Sequence, residues 1–127
     1  MDLPKIGVIG CGYWGKNLVR VFNELGCLVA VSDSTSEGRE IASEIAPNVQ
    51  VLSTLDQMLQ IPVEAVVIST PAETHFSLTE QVLKSGKDVL VEKPAFINFK
   101  EAKKTLGHPN LNNFFLGEGF MFRYHPQ

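Results

Sequence analysis

At 127 residues, with 44% hydrophobic and 20% charged residues, the chain is long enough for one domain with a substantial core, and nothing in it suggests an internal boundary. A formal net charge of −3 argues against nucleic acid or an anionic membrane as partner, and no apolar run approaches membrane-spanning length. Cys11 and Cys27 form neither a disulfide framework nor a metal-ligand set and read as small packing residues, so no metal is expected; Met1–Pro4 runs straight into the first apolar stretch, which leaves no room for a cleavable signal and predicts a cytoplasmic protein.

Lys5–Ile9 predicts a strand, followed by the loop Gly10-Cys11-Gly12-Tyr13-Trp14-Gly15, an amphipathic helix over Lys16–Leu25, a second strand over Leu28–Val31 and the acidic Asp33. In such a unit Gly10 permits a sharp turn off the strand, Gly12 lets the backbone approach a pyrophosphate, and Gly15 lets helix and strand pack closely. The helix start faces the anion. Asp33, about twenty residues after Gly12, is placed to accept hydrogen bonds from a ribose hydroxyl. A plain βαβ turn is the bland alternative, but the strand before, the helix after and the acid closing the second strand favour a dinucleotide site.

The first helix places Leu18, Phe22 and Leu25 on one stripe with Val19 beside it, and Gly26 stops it. Leu28–Val31 is apolar at every position, as a strand covered on both faces is, which implies a parallel sheet. Ser34–Glu37 offers a cap for a helix over Glu37–Ile45 that Pro47 ends; Val49–Leu52 is a third strand, and Thr54 caps a brief helical turn to Leu59. Ala65–Ile68 is the fourth strand and runs into Ser69-Thr70-Pro71, after which a helix spans His75–Lys84 and stops at Gly86. Asp88–Val91 is the fifth strand, followed at once by Glu92-Lys93-Pro94; a helix over Asn98–Leu106 and a sixth strand over Asn113–Leu116 complete the pattern. The alternation predicts an α/β fold, a doubly wound parallel Rossmann sheet of order 3-2-1-4-5-6, with residues 1–127 as one dinucleotide-binding domain. Its ligand belongs beyond the carboxyl ends of the strands, where Gly10–Gly15, Asp33-Ser34, Ser69–His75 and Glu92-Lys93 converge.

These motifs, together with Arg123-Tyr124-His125-Pro126, resemble the N-terminal domain of the Gfo/Idh/MocA oxidoreductases, and the similarity covers essentially the whole chain. Glu-Lys-Pro closing the fifth strand is not a general Rossmann feature, and the wording of Tyr13–Asn17 is most like members acting on sugars, including nucleotide sugars. The resemblance implies NAD(P)-dependent hydride transfer to or from a sugar, nucleotide-sugar or cyclitol alcohol. It implies that the glycine loop, with Tyr13 and Trp14, holds the pyrophosphate and that Asp33 and Ser34 meet the adenosine ribose. Thr70, Pro71 and His75 would line the nicotinamide-side wall, Glu92 would touch the nicotinamide ribose, and Lys93 would reach the substrate hydroxyl, with Lys93 and His75 as the catalytic candidates. Family enzymes continue into a second domain over the nicotinamide that this chain lacks, so it is expected to carry at best half a catalytic site.

Each sharp reading has a bland counterpart. Lys93 is an ordinary strand-end lysine or a functional one, and the following proline, which restricts its backbone, favours function; the Lys93–Pro94 bond is expected to be cis. His75 divides evenly between helix capping and the nicotinamide pocket. Tyr13 and Trp14 either shield the pyrophosphate or, more often for aromatics at a helix start, pack. His108 and His125 read as loop residues, and Phe114, Phe115, Phe120 and Phe122 as a sticky interface compatible with a homo-oligomer. NAD is favoured over NADP because an ionised Asp33 repels a 2′-phosphate, with Arg39 as the residue able to oppose that preference. The alternative to a dehydrogenase domain is a cofactor-binding or sensing module without turnover.

Overall fold

The computed structural model describes residues 3–91, 100, 103–104, 107 and 114–116. The strands β1 (Ile6–Ile9), β2 (Leu28–Ser32), β3 (Gln50–Leu52), β4 (Ala65–Ile68), β5 (Asp88–Val91) and β6 (Phe114–Leu116) form one sheet in the order β3-β2-β1-β4-β5-β6. Every neighbouring pair is parallel. The expected doubly wound topology is therefore present, and the order reverses between β1 and β4, where two loops leave the sheet in opposite directions.

The helices α1 (Gly15–Glu24), α2 (Ser36–Ile45), α3 (Leu55–Leu59) and α4 (Ala72–Lys84) cover both faces. One apolar cluster gathers Val8, Val31 and Val67 from the sheet with Val19 of α1 and Ala42 of α2. The other sets Ala30, Val66 and Ile68 against Met58 of α3 and Val82 and Leu83 of α4. Strands that feed side chains to both clusters must be apolar throughout, which is why β2 and β4 show no polar alternation.

Three local expectations shift. Helix α4 starts at Ala72, three residues before the predicted start, because Pro71 takes an extended N-cap conformation (φ −57°, ψ 147°) and the chain turns helical directly after it. His75 is thus in the first turn rather than at the cap. Leu25, predicted on the buried stripe of α1, is instead the C-cap beside Gly26 (φ 80°), past the last helical residue, and stays 60% exposed. The third concerns Ser32, which the sequence reading left outside the second strand: it completes β2, is buried, and bonds through its carbonyl to the N–H of Gly10 (2.8 Å). The Lys93–Pro94 bond, the bulk of the predicted Asn98–Leu106 helix, His108, His125, Phe120 and Phe122 lie outside the described residues.

Candidate cofactor site

Beyond the carboxyl ends of β1 to β4 lies a cleft of about 610 Å³, lined by Gly10 and Gly12, by Asp33, Ser34 and Thr35, by Ser53 and Thr54, and by Ser69, Thr70, Pro71 and Thr74. It is bounded by the four loops that follow those strands. Gly10 makes the turn off β1 with φ +101°, and a Cβ there would collide with the carbonyl oxygen of Ser69. A Cβ on Gly15 would strike the carbonyl oxygen of Gly10, so α1 approaches the strand end as closely as backbone allows. Gly12 differs: a Cβ there would meet nothing within 4 Å, because the residue faces open space. Beside that open space, at the start of α1, the N–H groups of Tyr13 and Trp14 have no backbone acceptor among the described residues, an arrangement able to receive an anion.

Tyr13 is 87% exposed and Trp14 46% exposed, so neither is buried in the core of the described residues. The Tyr13 ring lies 5.4 Å from Lys16 Nζ, and both border a smaller recess with Cys11, Asp33 and Thr35.

Asp33 is tied into the protein more tightly than its sequence position suggested. One carboxylate oxygen accepts from Cys11 N–H (2.7 Å); the other accepts from Thr35 N–H (2.8 Å) and the Thr35 hydroxyl (2.7 Å). Burial would push the carboxyl up, but these Cys11 and Thr35 donors, helped by the Arg39 charge, hold it below its ordinary value. Burial, then the negative Asp33, raises the neighbouring Cys11 thiol against a smaller opposing effect of Lys16, which keeps the thiol protonated and unreactive. Arg39 donates to the Asp33 carbonyl (2.9 Å), and Thr35 caps α2 through Gly38 N–H (3.0 Å). Gly38, which the sequence reading passed over, is required here because a Cβ would overlap the Asp33 carboxylate.

On the β4 side, Thr70 and Pro71 line the cleft, as expected. His75 does not: it is 2% exposed, and its Nε2 sits 2.7 Å from the Thr70 carbonyl oxygen. A carbonyl only accepts, so Nε2 carries the hydrogen and is committed to the loop. In this geometry that nitrogen holds the Thr70 carbonyl. Glu92 and Lys93 lie outside the described residues. Among the described residues no cluster of three or more His, Cys, Asp or Glu could hold a metal, and no helix is long and apolar enough to cross a membrane.

Residues 4–110 match the oxidoreductase family with an NAD-binding Rossmann fold known as Gfo/Idh/MocA. The chain belongs to that family. Among Gfo/Idh/MocA relatives, the UDP-N-acetylglucosamine 3-dehydrogenase of Acidithiobacillus ferrooxidans is 31% identical over 123 residues, covering 96% of this chain and 38% of the relative. Inositol 2-dehydrogenase 1 of Saccharopolyspora erythraea is also 31% identical, with the same coverage of 96% and 38%. The WlbA dehydrogenase of Bordetella pertussis, solved with NADH and UDP-GlcNAcA, superposes with a TM-score of 0.82 at 25% identity over 91% of this chain and 37% of its own. The chain thus spans little more than a third of the length of these Gfo/Idh/MocA proteins.

Proposed function

We propose that this domain binds NAD, in preference to NADP, along the carboxyl edge of the sheet and serves hydride transfer to or from an alcohol carbon of a sugar, nucleotide sugar or cyclitol. The observation that carries the reading is the open space at Gly12 between two close-packed glycines, with an ionised carboxylate at the next loop. The glycine loop and the start of α1 hold the pyrophosphate, and Asp33 and Ser34 meet the adenosine ribose. A carboxylate has about four lone-pair sites. Three are already used at Asp33, which leaves one for a ribose hydroxyl.

The same held charge opposes a 2′-phosphate, and Arg39, the residue able to oppose that preference, has one of its donors engaged by the Asp33 carbonyl. Thr70 and Pro71 form the wall toward the nicotinamide. When bound, the nicotinamide supplies the hydride acceptor or donor. The role left to the chain is to orient the alcohol and move its proton: Glu92 steadies the nicotinamide ribose, and Lys93 Nζ, directly after β5, exchanges the hydroxyl proton. Residues 1–127 are the cofactor-binding unit, and substrate selection falls to a second domain in the whole protein.

Calorimetric titration of the chain with NADH and NADPH tests the assignment. NADH is expected to bind at least about tenfold tighter, the effect of roughly 1.4 kcal/mol of charge repulsion; NADPH binding tenfold tighter would overturn the preference, and no heat with either would overturn the site. In the whole protein, Lys93→Ala is expected to abolish NADH formation from sugar alcohols, whereas cofactor binding with no turnover by the parent protein would favour a sensing module.

A further inference from the structure

The β4–α4 loop contains a short hydrogen-bond relay that fixes how one wall of the cleft presents itself. The Thr74 hydroxyl lies 2.6 Å from the carbonyl oxygen of Pro71 and donates to it, since a carbonyl has no proton to give. Thr74 has one hydroxyl hydrogen, and it is used there. The Thr70 hydroxyl lies 2.6 Å from the Thr74 oxygen, and with Thr74 committed, Thr70 must be the donor in that contact. Both hydrogens are therefore directed along the loop, and the Thr70 oxygen keeps only lone pairs for the cleft it lines. His75 Nε2–H on the Thr70 carbonyl fixes the backbone of the same residue from the buried side.

We propose, resting on the dinucleotide reading above, that Thr74 is a positioning residue that acts through Thr70: it makes the Thr70 hydroxyl an obligate acceptor, which recognises an N–H or O–H donor on the nicotinamide half of the cofactor. Thr74 itself is not a ligand. The loop after β4 lies across the order reversal from Asp33 and Ser53, though all of them line one cleft, so this loop is assigned to the nicotinamide half, and ADP tests that assignment.

The test compares dissociation constants of NADH and ADP for the parent chain, Thr70→Val, Thr70→Ser, Thr74→Val and the double Thr70→Val/Thr74→Val variant, with circular dichroism to establish that each is folded. Thr70→Val is expected to weaken NADH roughly five- to tenfold, the loss of one hydrogen bond, and to leave ADP unchanged. Thr74→Val frees the Thr70 proton, and a hydroxyl able to rotate loses a comparable share of NADH affinity. Because the relay acts through one oxygen, the double variant should be no weaker than Thr70→Val, and Thr70→Ser should bind like the parent. Unchanged NADH affinity in Thr74→Val, an additive double variant, or equal weakening of ADP would each overturn the relay while leaving the dinucleotide site intact. Failure of the parent to bind either nucleotide would overturn both.

Discussion

Asp33 holds two loops with one carboxylate, and Gly38 is what makes room for it. The acid was legible in the sequence from its distance to the glycine loop, but its internal partners were not, because nothing in the α2 periodicity shows how closely that helix approaches the end of β2. A glycine in the first turn of a helix was the available signal. Gly38→Ala is expected to lower stability by about 1–3 kcal/mol, the usual cost of forcing a methyl group into an occupied site; urea unfolding measures it, and an Asp33→Ser background should absorb much of the loss. The carboxylate also predicts a pH dependence. Its folded value lies below the unfolded one, so its contribution to stability is present above the ordinary aspartate value of about 3.9 and is lost as pH falls through the depressed folded value. Urea midpoints taken downward from pH 7 should show the parent losing a component over that acid range that Asp33→Asn lacks at every pH. Parallel curves for the two proteins would mean that the Cys11 and Thr35 bonds do not favour the ionised carboxylate over its protonated form.

At the scale of elements, every strand and helix among residues 6–91 was readable, because buried parallel strands are continuous apolar runs and Gly or Pro punctuates each helix end. The start of α4 differs from the expectation because it depends on Pro71 and on the Thr74 hydroxyl that reaches back to its carbonyl, local capping effects that apolar periodicity does not show. The pairing of β1 with α3 was equally hidden. Gly7 sits mid-strand, where glycine is otherwise a poor choice, and a Cβ there would lie 2.6 Å from Met58 Sδ. The fully buried Met58 fills the space a side chain on β1 would take. Gly7→Ala should therefore destabilise by about 1–3 kcal/mol by overpacking. A double-mutant cycle with Met58→Ala checks the cause: the two losses should fall short of additive, because the shortened residue 58 leaves space for the new methyl group. Full additivity would place the cost of Gly7→Ala in the strand backbone instead.

For the whole molecule, the decisive feature is that fold and site share their glycines unequally. Gly10 and Gly15 are packed against backbone, so the sheet and α1 cannot form as they do without them, whereas a Cβ on Gly12 would meet nothing within 4 Å, and in the proposed function its small size serves what enters the cleft. The two demands can be separated by experiment. A ligand that binds only the folded chain stabilises it by about 2.7 kcal/mol at a hundredfold excess over its dissociation constant. NADH is thus expected to raise the unfolding midpoint of the parent by several degrees, since about 1 kcal/mol corresponds to roughly 4–8 °C in a domain near this size. Gly12→Val should unfold like the parent in the absence of nucleotide and lose that rise, because the added side chain occupies only the ligand's space. Gly10→Ala should do the reverse in the first comparison, unfolding earlier without any ligand, since alanine must adopt φ +101° against the Ser69 carbonyl. A Gly12→Val chain that keeps the full nucleotide shift would move the phosphates away from this loop, and with them the assignment of the cleft.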